Sequence, residues 1–578
     1  MIRLLILLLL SLSVAVPARA RDNAGLLSEP AARAAVTANN FMIAAAEPRA
    51  VEAGYRVLQD GGSAVDAAIA AQLVLGLVEP QSSGLGGGAF LLHYRADRND
   101  LTLYDGRETA PAAATPGLFL DADGKPLTFL QAVIGGRSVG TPGIVRLLAE
   151  AHARHGRLPW PHLFQPAIAL AERGFAVSAL LARNIAEDAD NLRRYPATAA
   201  YFLRADGAPL PEGAILRNPA YAEVLRAIAD QGADAFYHGP IARDMVRAVH
   251  EVADNPGRLA ESDLTGYRIA VRQPVCGPYR EYRVCSAGPP SSGGLTVLQI
   301  LGLLQHFRLA GQTPLSVDAV HLFAEAGRLA FADRALYMAD ADFVPMPTAG
   351  LIDPVYLTVR SQLIDRSHAI PNPTPGNPPW RDARVYAPDR SPELPSTSHL
   401  SVVDRDGNIV SMTTTIEAGF GSRVMARGFL LNNELTDFSF APETDGRPVA
   451  NRVEPGKRPR SSMSPAIVFD RAGKPVLVVG SAGGSRIIGH VARTIVAVLD
   501  WGLAVNDAVA LPHTLTAGNN RIELERGTPA EALKPALEAR GHTVDIRPII
   551  SGLHAIGITD GRLTGGADPR REGTAMGD

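Results

Sequence analysis

Two threonines, Thr397 and Thr415, are spaced so that a folded chain would set their hydroxyls side by side. Leu400 to Val403 and Ile409 to Thr415 read as strands around Asp404-Arg405-Asp406-Gly407-Asn408, a run of turn formers. That pattern predicts a β-hairpin. With its turn centred near Asp406, Thr397 falls opposite Thr415, give or take a residue. Facing hydroxyls can be a cross-strand packing pair or a nucleophile with a group that orients it. Spacing alone favours packing. The chain before Thr397 adds a second signal. Pro371, Pro373, Pro375, Pro378, Pro379, Pro388, Pro392 and Pro395 crowd residues 368–396, which excludes a regular element there. An extended, exposed linker is expected, ending at Ser396-Thr397.

Familiar signatures of other chemistries fail. Gly84-x-Gly86-x-x-Ala89 matches a dinucleotide loop only in letters. The predicted order is helix, glycines, strand, whereas phosphate binding needs glycines that open a helix. There is no P-loop, H-E-x-x-H or G-x-S-x-G. His152 and His155 fall on a helix predicted to lie at the surface, with solvated side chains. Cys276 and Cys285 flank Gly277-Pro278 and make no zinc motif. A cross-hairpin disulfide and two buried thiols are equally compatible with that spacing.

The elements that must position the threonines follow from composition and pattern. The chain has 578 residues, 46% hydrophobic and 20% charged, with a formal net charge of −3. This is globular composition, without the basic field that nucleic acid requires. Residues 1–20 end in Ala18-Arg19-Ala20 and carry an apolar run from Leu4 to Val16. The run is short for a membrane span of about 20 residues and fits a cleaved secretion signal, so an exported protein is expected, periplasmic or secreted. Ala50 to Gln59 predicts a helix. Ser63, with Asp66 three residues on, caps a second and buried one. Helical patterns dominate from about 143 to 340. After Thr397 the pattern turns to strands, with a second hairpin through Ala466–Phe469 and Val476–Val479 and a helix from Ile487 to Trp501. Strand pairs followed by helices predict sheets covered by helices.

Pro395-Ser396-Thr397-Ser398-His399-Leu400-Ser401-Val402-Val403-Asp404 resembles the processing site of the γ-glutamyltransferases. The likeness continues through most of the chain. It includes Gly61-Gly62-Ser63-Ala64-Val65-Asp66-Ala67-Ala68, Leu85-Gly86-Gly87-Gly88 and Asp105-Gly106-Arg107-Glu108-Thr109-Ala110-Pro111. Further on come Pro289-Pro290-Ser291-Ser292-Gly293-Gly294, Leu431-Asn432-Asn433-Glu434 with Asp437-Phe438, Lys457 to Pro465, and Gly483-Gly484-Ser485-Arg486. The resemblance implies an α+β fold, the αββα sandwich of N-terminal-nucleophile hydrolases, with two mostly antiparallel sheets. It implies a precursor cut into residues 21–396 and 397–578, which stay together as a heterodimer. No cofactor or metal is called for.

The resemblance also assigns roles. Thr397 would be the nucleophile, oriented by Thr415. Its free α-amine, with an ordinary pKa of about 7.7–8.0, would take the hydroxyl proton. An uncut Thr397 has only an amide nitrogen, so cleavage after Ser396 would switch the enzyme on. Gly483 and Gly484 would supply backbone N–H donors to the oxyanion. Arg107, Ser461 and Ser462 would hold the α-carboxylate of a γ-glutamyl group, and Glu434 and Asp437 its ammonium. Taken alone, Arg107 reads as a salt bridge and the acids as a solvated turn. The sequence departs from the family at Glu417, where many members have Asn, and at Glu434, where Gln is frequent. The stretch from Asp437 to Lys457 lacks the cysteine pair found in some members. A γ-glutamyl amide such as glutathione is the expected substrate, with an amino acid, peptide or water as acceptor. A glutaryl-type acylase and an uncut binding protein are the alternatives.

Overall fold

The hairpin predicted around Asp406 is the centre from which the molecule is built. Ser398–Val403 pairs antiparallel with Ile409–Thr415, Ser398 opposite Thr414 and Val403 opposite Ile409. In this computed structural model, residues 33–578 are described, apart from 381–384, Pro392, Pro395 and Asn519. The expected secretion signal lies outside the described residues.

The hairpin belongs to a seven-stranded antiparallel sheet. Its order is Thr574–Gly577, Met42–Ala45, Ser398–Val403, Ile409–Thr415, Gly88–Arg95, Asp100–Asp105, Ala270–Arg272. A second antiparallel sheet runs Val36–Ala38, Arg562–Ala567, His554–Thr559, Pro475–Gly480, Ala466–Phe469, Tyr282–Ser286, Val275–Tyr279. Each sheet contains strands from before and from after Thr397.

Side chains alternate between the faces of a strand, and this alternation aims the threonines. Leu400, Val402, Val410 and Met412 point outward into a core shared with the helices Pro48–Gln59 and Ala64–Val78. Burying each such side chain contributes about 1.5–3 kcal/mol. Residues of opposite parity face the second sheet. There the Ser401 hydroxyl donates to the His554 carbonyl at 3.1 Å, and Ser411 to that of Val479 at 3.4 Å. Thr397 and Thr415 share this parity, so they open between the sheets. The helices Gly293–Leu304 and Arg486–Leu499 cover the second sheet's far face. The layers are therefore helix, sheet, sheet, helix, as expected.

Ser63 and Asp66 form the predicted capping box, and every residue of Ala64–Val78 is buried. Cys276 and Cys285 face each other across a strand pair and are bridged. Two expectations are corrected. His155 is not solvated, because its helix lies against a sheet strand. Its Nε2 is 2.6 Å from the Tyr104 hydroxyl, and its ring lies 4.0 Å from that of His93. His152 is also engaged, through Nε2 and the Leu158 carbonyl at 2.9 Å. The Pro-rich segment has no helix or strand in its described residues, and although much of it is exposed, parts of it dock. Asp389 and Ser396 are buried, and the Glu393 side chain is only 9% exposed, because buried arginines bind the acids. Between Asp437 and Lys457, Glu443–Thr444 pairs with Arg447–Pro448 in a small hairpin.

Candidate active site

Thr397 and Thr415 meet at one end of the sandwich. The Thr397 hydroxyl donates to Thr415 Oγ1 at 3.1 Å. Thr415 Oγ1 also accepts from the Glu417 N–H at 2.8 Å, which fixes it at the strand end. Gly87 makes this possible, since a Cβ there would lie 2.0 Å from the Thr415 carbonyl oxygen. Facing the pair is the turn between Pro475–Gly480 and Arg486–Leu499. Its Gly483 and Gly484 have φ of 134° and 58°, a region that favours glycine. The Gly483 N–H donates to the Ser396 carbonyl at 3.0 Å.

The Ser396-Thr397 peptide is thus held on its carbonyl side by Gly483. On the other side, Arg571 Nη1 donates to the Thr397 carbonyl at 3.0 Å. Arg571 lies 3.5 Å from Glu79, which accepts from the Ser398 hydroxyl at 2.8 Å. Burial pushes the Glu79 carboxyl up to about 7 in spite of Arg571. Between these anchors Thr397 has φ 96°. For a β-branched residue this is strained, at a cost of about 1–3 kcal/mol.

Beside the threonines lies a buried charged cluster. The Arg107 guanidinium donates through Nη1 to Glu434 and through Nη2 to Asp437. Its Nε donates to the Pro459 carbonyl at 3.1 Å. Burial pushes Asp437 up to about 6 and Glu108 up to about 8, although Arg107 opposes both shifts. Burial, then the charge of Asp437, push Glu417 well above the usual carboxylate range. Asn433 Nδ2 donates to Glu417, which has φ 76°. Four carboxyl groups therefore crowd one guanidinium. Ser462 Oγ accepts from Arg334 Nη2 at 2.7 Å and donates to Glu393 at 2.7 Å. Ser461 Oγ accepts from the Met463 N–H at 3.1 Å.

The residues singled out from sequence come together. Arg107, Thr397, Thr415, Glu417, Glu434, Asp437, Ser461, Ser462 and Gly484 line one cavity, and Gly483 touches it through Ser396. Glu393 and Leu394 also line that cavity, which encloses about 20 Å³, room for about one water molecule. Sequence reasoning missed Glu393, Arg334 and Arg460. Arg460 stands inside the Lys457–Pro465 run, where its charge beside two serines was a readable signal. Arg334 lies on the buried helix Val317–Tyr337 and gave none. Among the described residues, no group of three or more His, Cys, Asp or Glu is arranged to hold a metal ion. Among them too, no helix is long and apolar enough to cross a membrane.

This layering, with a threonine hydroxyl at the strand end between the sheets, defines the N-terminal-nucleophile hydrolase fold. Comparison with known proteins agrees. A cephalosporin acylase from Bacillus halodurans superposes with a TM-score of 0.83 at 26% identity, covering 96% of this chain and 98% of that one. The family profile of gamma-glutamyltranspeptidase matches residues 50–578. The glutathione hydrolase proenzyme of Bacillus subtilis strain 168 is 39% identical over 547 residues, 93% of this chain and 91% of that protein. The acylase ACY 1 proenzyme of Pseudomonas sp. strain SE83 is 37% identical over 544 residues, 93% of both chains. The chain belongs to the gamma-glutamyltranspeptidase family.

Proposed function

We propose that this chain is an exported, self-cleaving γ-glutamyltransferase and glutathione hydrolase that acts through Thr397. In the uncut chain the Thr397 hydroxyl attacks the Ser396 carbonyl carbon. The Ser396–Thr397 amide bond breaks, the Thr397 nitrogen takes a proton, and an ester links Ser396 to Thr397 Oγ1. Water cleaves the ester, leaving a Ser396 carboxylate and a free Thr397 amine. Three observations support this step. The hydroxyl is oriented by Thr415, the carbonyl already accepts from Gly483, and Thr397 is strained. The fragments 21–396 and 397–578 remain a heterodimer because both sheets draw strands from each.

The freed amine then serves as base when Thr397 attacks a γ-glutamyl amide. Gly483 and Gly484 stabilise the oxyanion, the leaving amine departs, and the acyl group passes to water, an amino acid or a peptide. The observation that carries the substrate assignment is the excess of carboxyl groups around Arg107. Burial has raised Glu417, Asp437 and Glu108, and a cation beside them would restore their charge. The α-ammonium of a γ-glutamyl group supplies that cation, with its α-carboxylate on Arg107, Ser461 and Ser462. A glutaryl-type acylase is the second reading, supported by the acylase relatives. A glutaryl group has no ammonium, and the acid cluster opposes it.

A denaturing gel tests the proposal. Wild type is expected as two fragments that release anilide from a γ-glutamyl anilide faster than from a glutaryl anilide. Thr397→Ala is expected as one inactive, uncut band. An intact wild-type band with activity would sink the mechanism, and a preference for the glutaryl substrate would transfer the assignment to the acylase.

A further inference from the structure

Glu393, three residues before Ser396, is bound as a ligand would be. One carboxylate oxygen lies 2.7 Å from Arg334 Nη2 and 3.1 Å from Arg460 Nη2, and the other accepts from the Ser462 hydroxyl at 2.7 Å. The arginine side chains are 6% and 3% exposed. Burial alone would raise the Glu393 carboxyl, but the two guanidiniums and the hydroxyl outweigh it and hold it at about 2. Arg460 has a second partner, Asp389, at 3.1 Å. Arg334 has no other carboxylate in contact among the described residues. The Arg460 carbonyl accepts from Arg107 Nη2 at 3.2 Å, so this anion site adjoins the acid cluster.

Glu393 and Leu394 line the cavity with Thr397, and its volume of about 20 Å³ is too small for a γ-glutamyl substrate, so the lining must give way when one binds. Departure of Glu393 would strip a carboxylate from two buried guanidiniums. Such cations need another anion with matching geometry. We propose that Arg334, Arg460 and Ser462 form a carboxylate-binding subsite of the cut enzyme, for which Glu393 is the placeholder in the uncut chain. The subsite takes a carboxylate on the leaving group or the acceptor, because the α-carboxylate of the γ-glutamyl group is assigned to Arg107. This inference rests on the γ-glutamyl reading above.

The test uses cut, purified Arg460→Gln and Arg334→Gln with two γ-glutamyl anilides, one bearing a ring carboxylate and one without. The expected result is a KM raised about ten-fold or more, the cost of a lost charge-assisted contact, with kcat nearly unchanged. A rise confined to the carboxylated anilide places the leaving group or acceptor there. An equal rise for both would put the donor's α-carboxylate there instead and overturn the proposal. Glu393→Gln is expected to leave the KM of the cut enzyme unchanged. Unchanged KM in both arginine variants, or a shifted KM in Glu393→Gln, would overturn the proposal. Should a glutamine variant stay uncut, Arg460→Lys, which keeps the charge but loses the fork, is read in the same way. Wild type inert on both anilides would instead remove the γ-glutamyl reading.

Discussion

Arg107 is the residue on which most of the site's electrostatics converge. It is fully buried against Glu434 and Asp437, with Glu108 at 4.0 Å. Arg107→Ala would leave these carboxyls without a cation, and breaking a buried pair from one side costs about 3–5 kcal/mol. We expect the variant to be cut but less stable, with a KM for γ-glutamyl anilide raised at least about ten-fold. Denaturant melts on a Thr397→Ala background separate stability from cutting. A variant with normal KM would show that Arg107 serves the fold alone. The residue types at this site were legible because hydroxyls, a guanidinium and acids each suit one part of the chemistry. The partners within each pair were not. The resemblance gives Arg107 a substrate carboxylate, whereas taken alone it reads as a salt bridge, and in the uncut chain Glu434 and Asp437 do pair with it. The choice between outside and inside partners depends on a cavity that no linear spacing reveals.

At the scale of elements, the hairpin register was readable to within a residue, because the centre of the turn sets every opposing pair. The Gly86-Gly87-Gly88 run was readable as a loop but not as a spacer. Its purpose depends on the carbonyl of Thr415, more than 300 positions away in sequence. Gly87→Ala would drive a methyl into that carbonyl and push the Thr415 strand end outward. Overpacking of this kind costs about 1–3 kcal/mol or more, and it would separate the two hydroxyls. The expected outcome is a folded chain by circular dichroism that stays largely uncut on a gel. Normal cutting would show that the strand end can yield without losing the threonine pair. The Pro-rich segment shows the opposite failure. Its lack of regular structure was evident, but proline content says nothing of where such a segment docks. Glu393 and Asp389 were read as part of a linker, although buried arginines claim them.

Across the whole molecule, buried titrating groups of two kinds set a pH optimum for stability. Burial lowers His93, His490 and His554 to about 3, and puts His399 and His513 well below their usual range. The unfolded chain takes up those protons first, so stability falls as pH drops below about 6.5. Glu79 and Glu108, raised to about 7 and 8, act in the other direction. Their folded forms keep protons that the unfolded chain releases, so their contribution is lost as pH climbs towards 8. Calorimetry of the Thr397→Ala chain should give the highest melting temperature near pH 6.5, and Glu108→Gln should flatten the alkaline limb. A melting temperature still rising at pH 8 would contradict the burial assigned to Glu108. The interleaving of strands reaches further. Met42–Ala45 lies between Thr574–Gly577 and Ser398–Val403, so a cut before Thr397 leaves two polypeptides woven through one sheet. The intact chain folds as a unimolecular process, whatever its dilution. Once cut and denatured, its halves must find each other, and recovery becomes second order in protein. Cleavage would then change the molecularity of folding itself, and the working enzyme would persist because unfolding is slow rather than because refolding is easy.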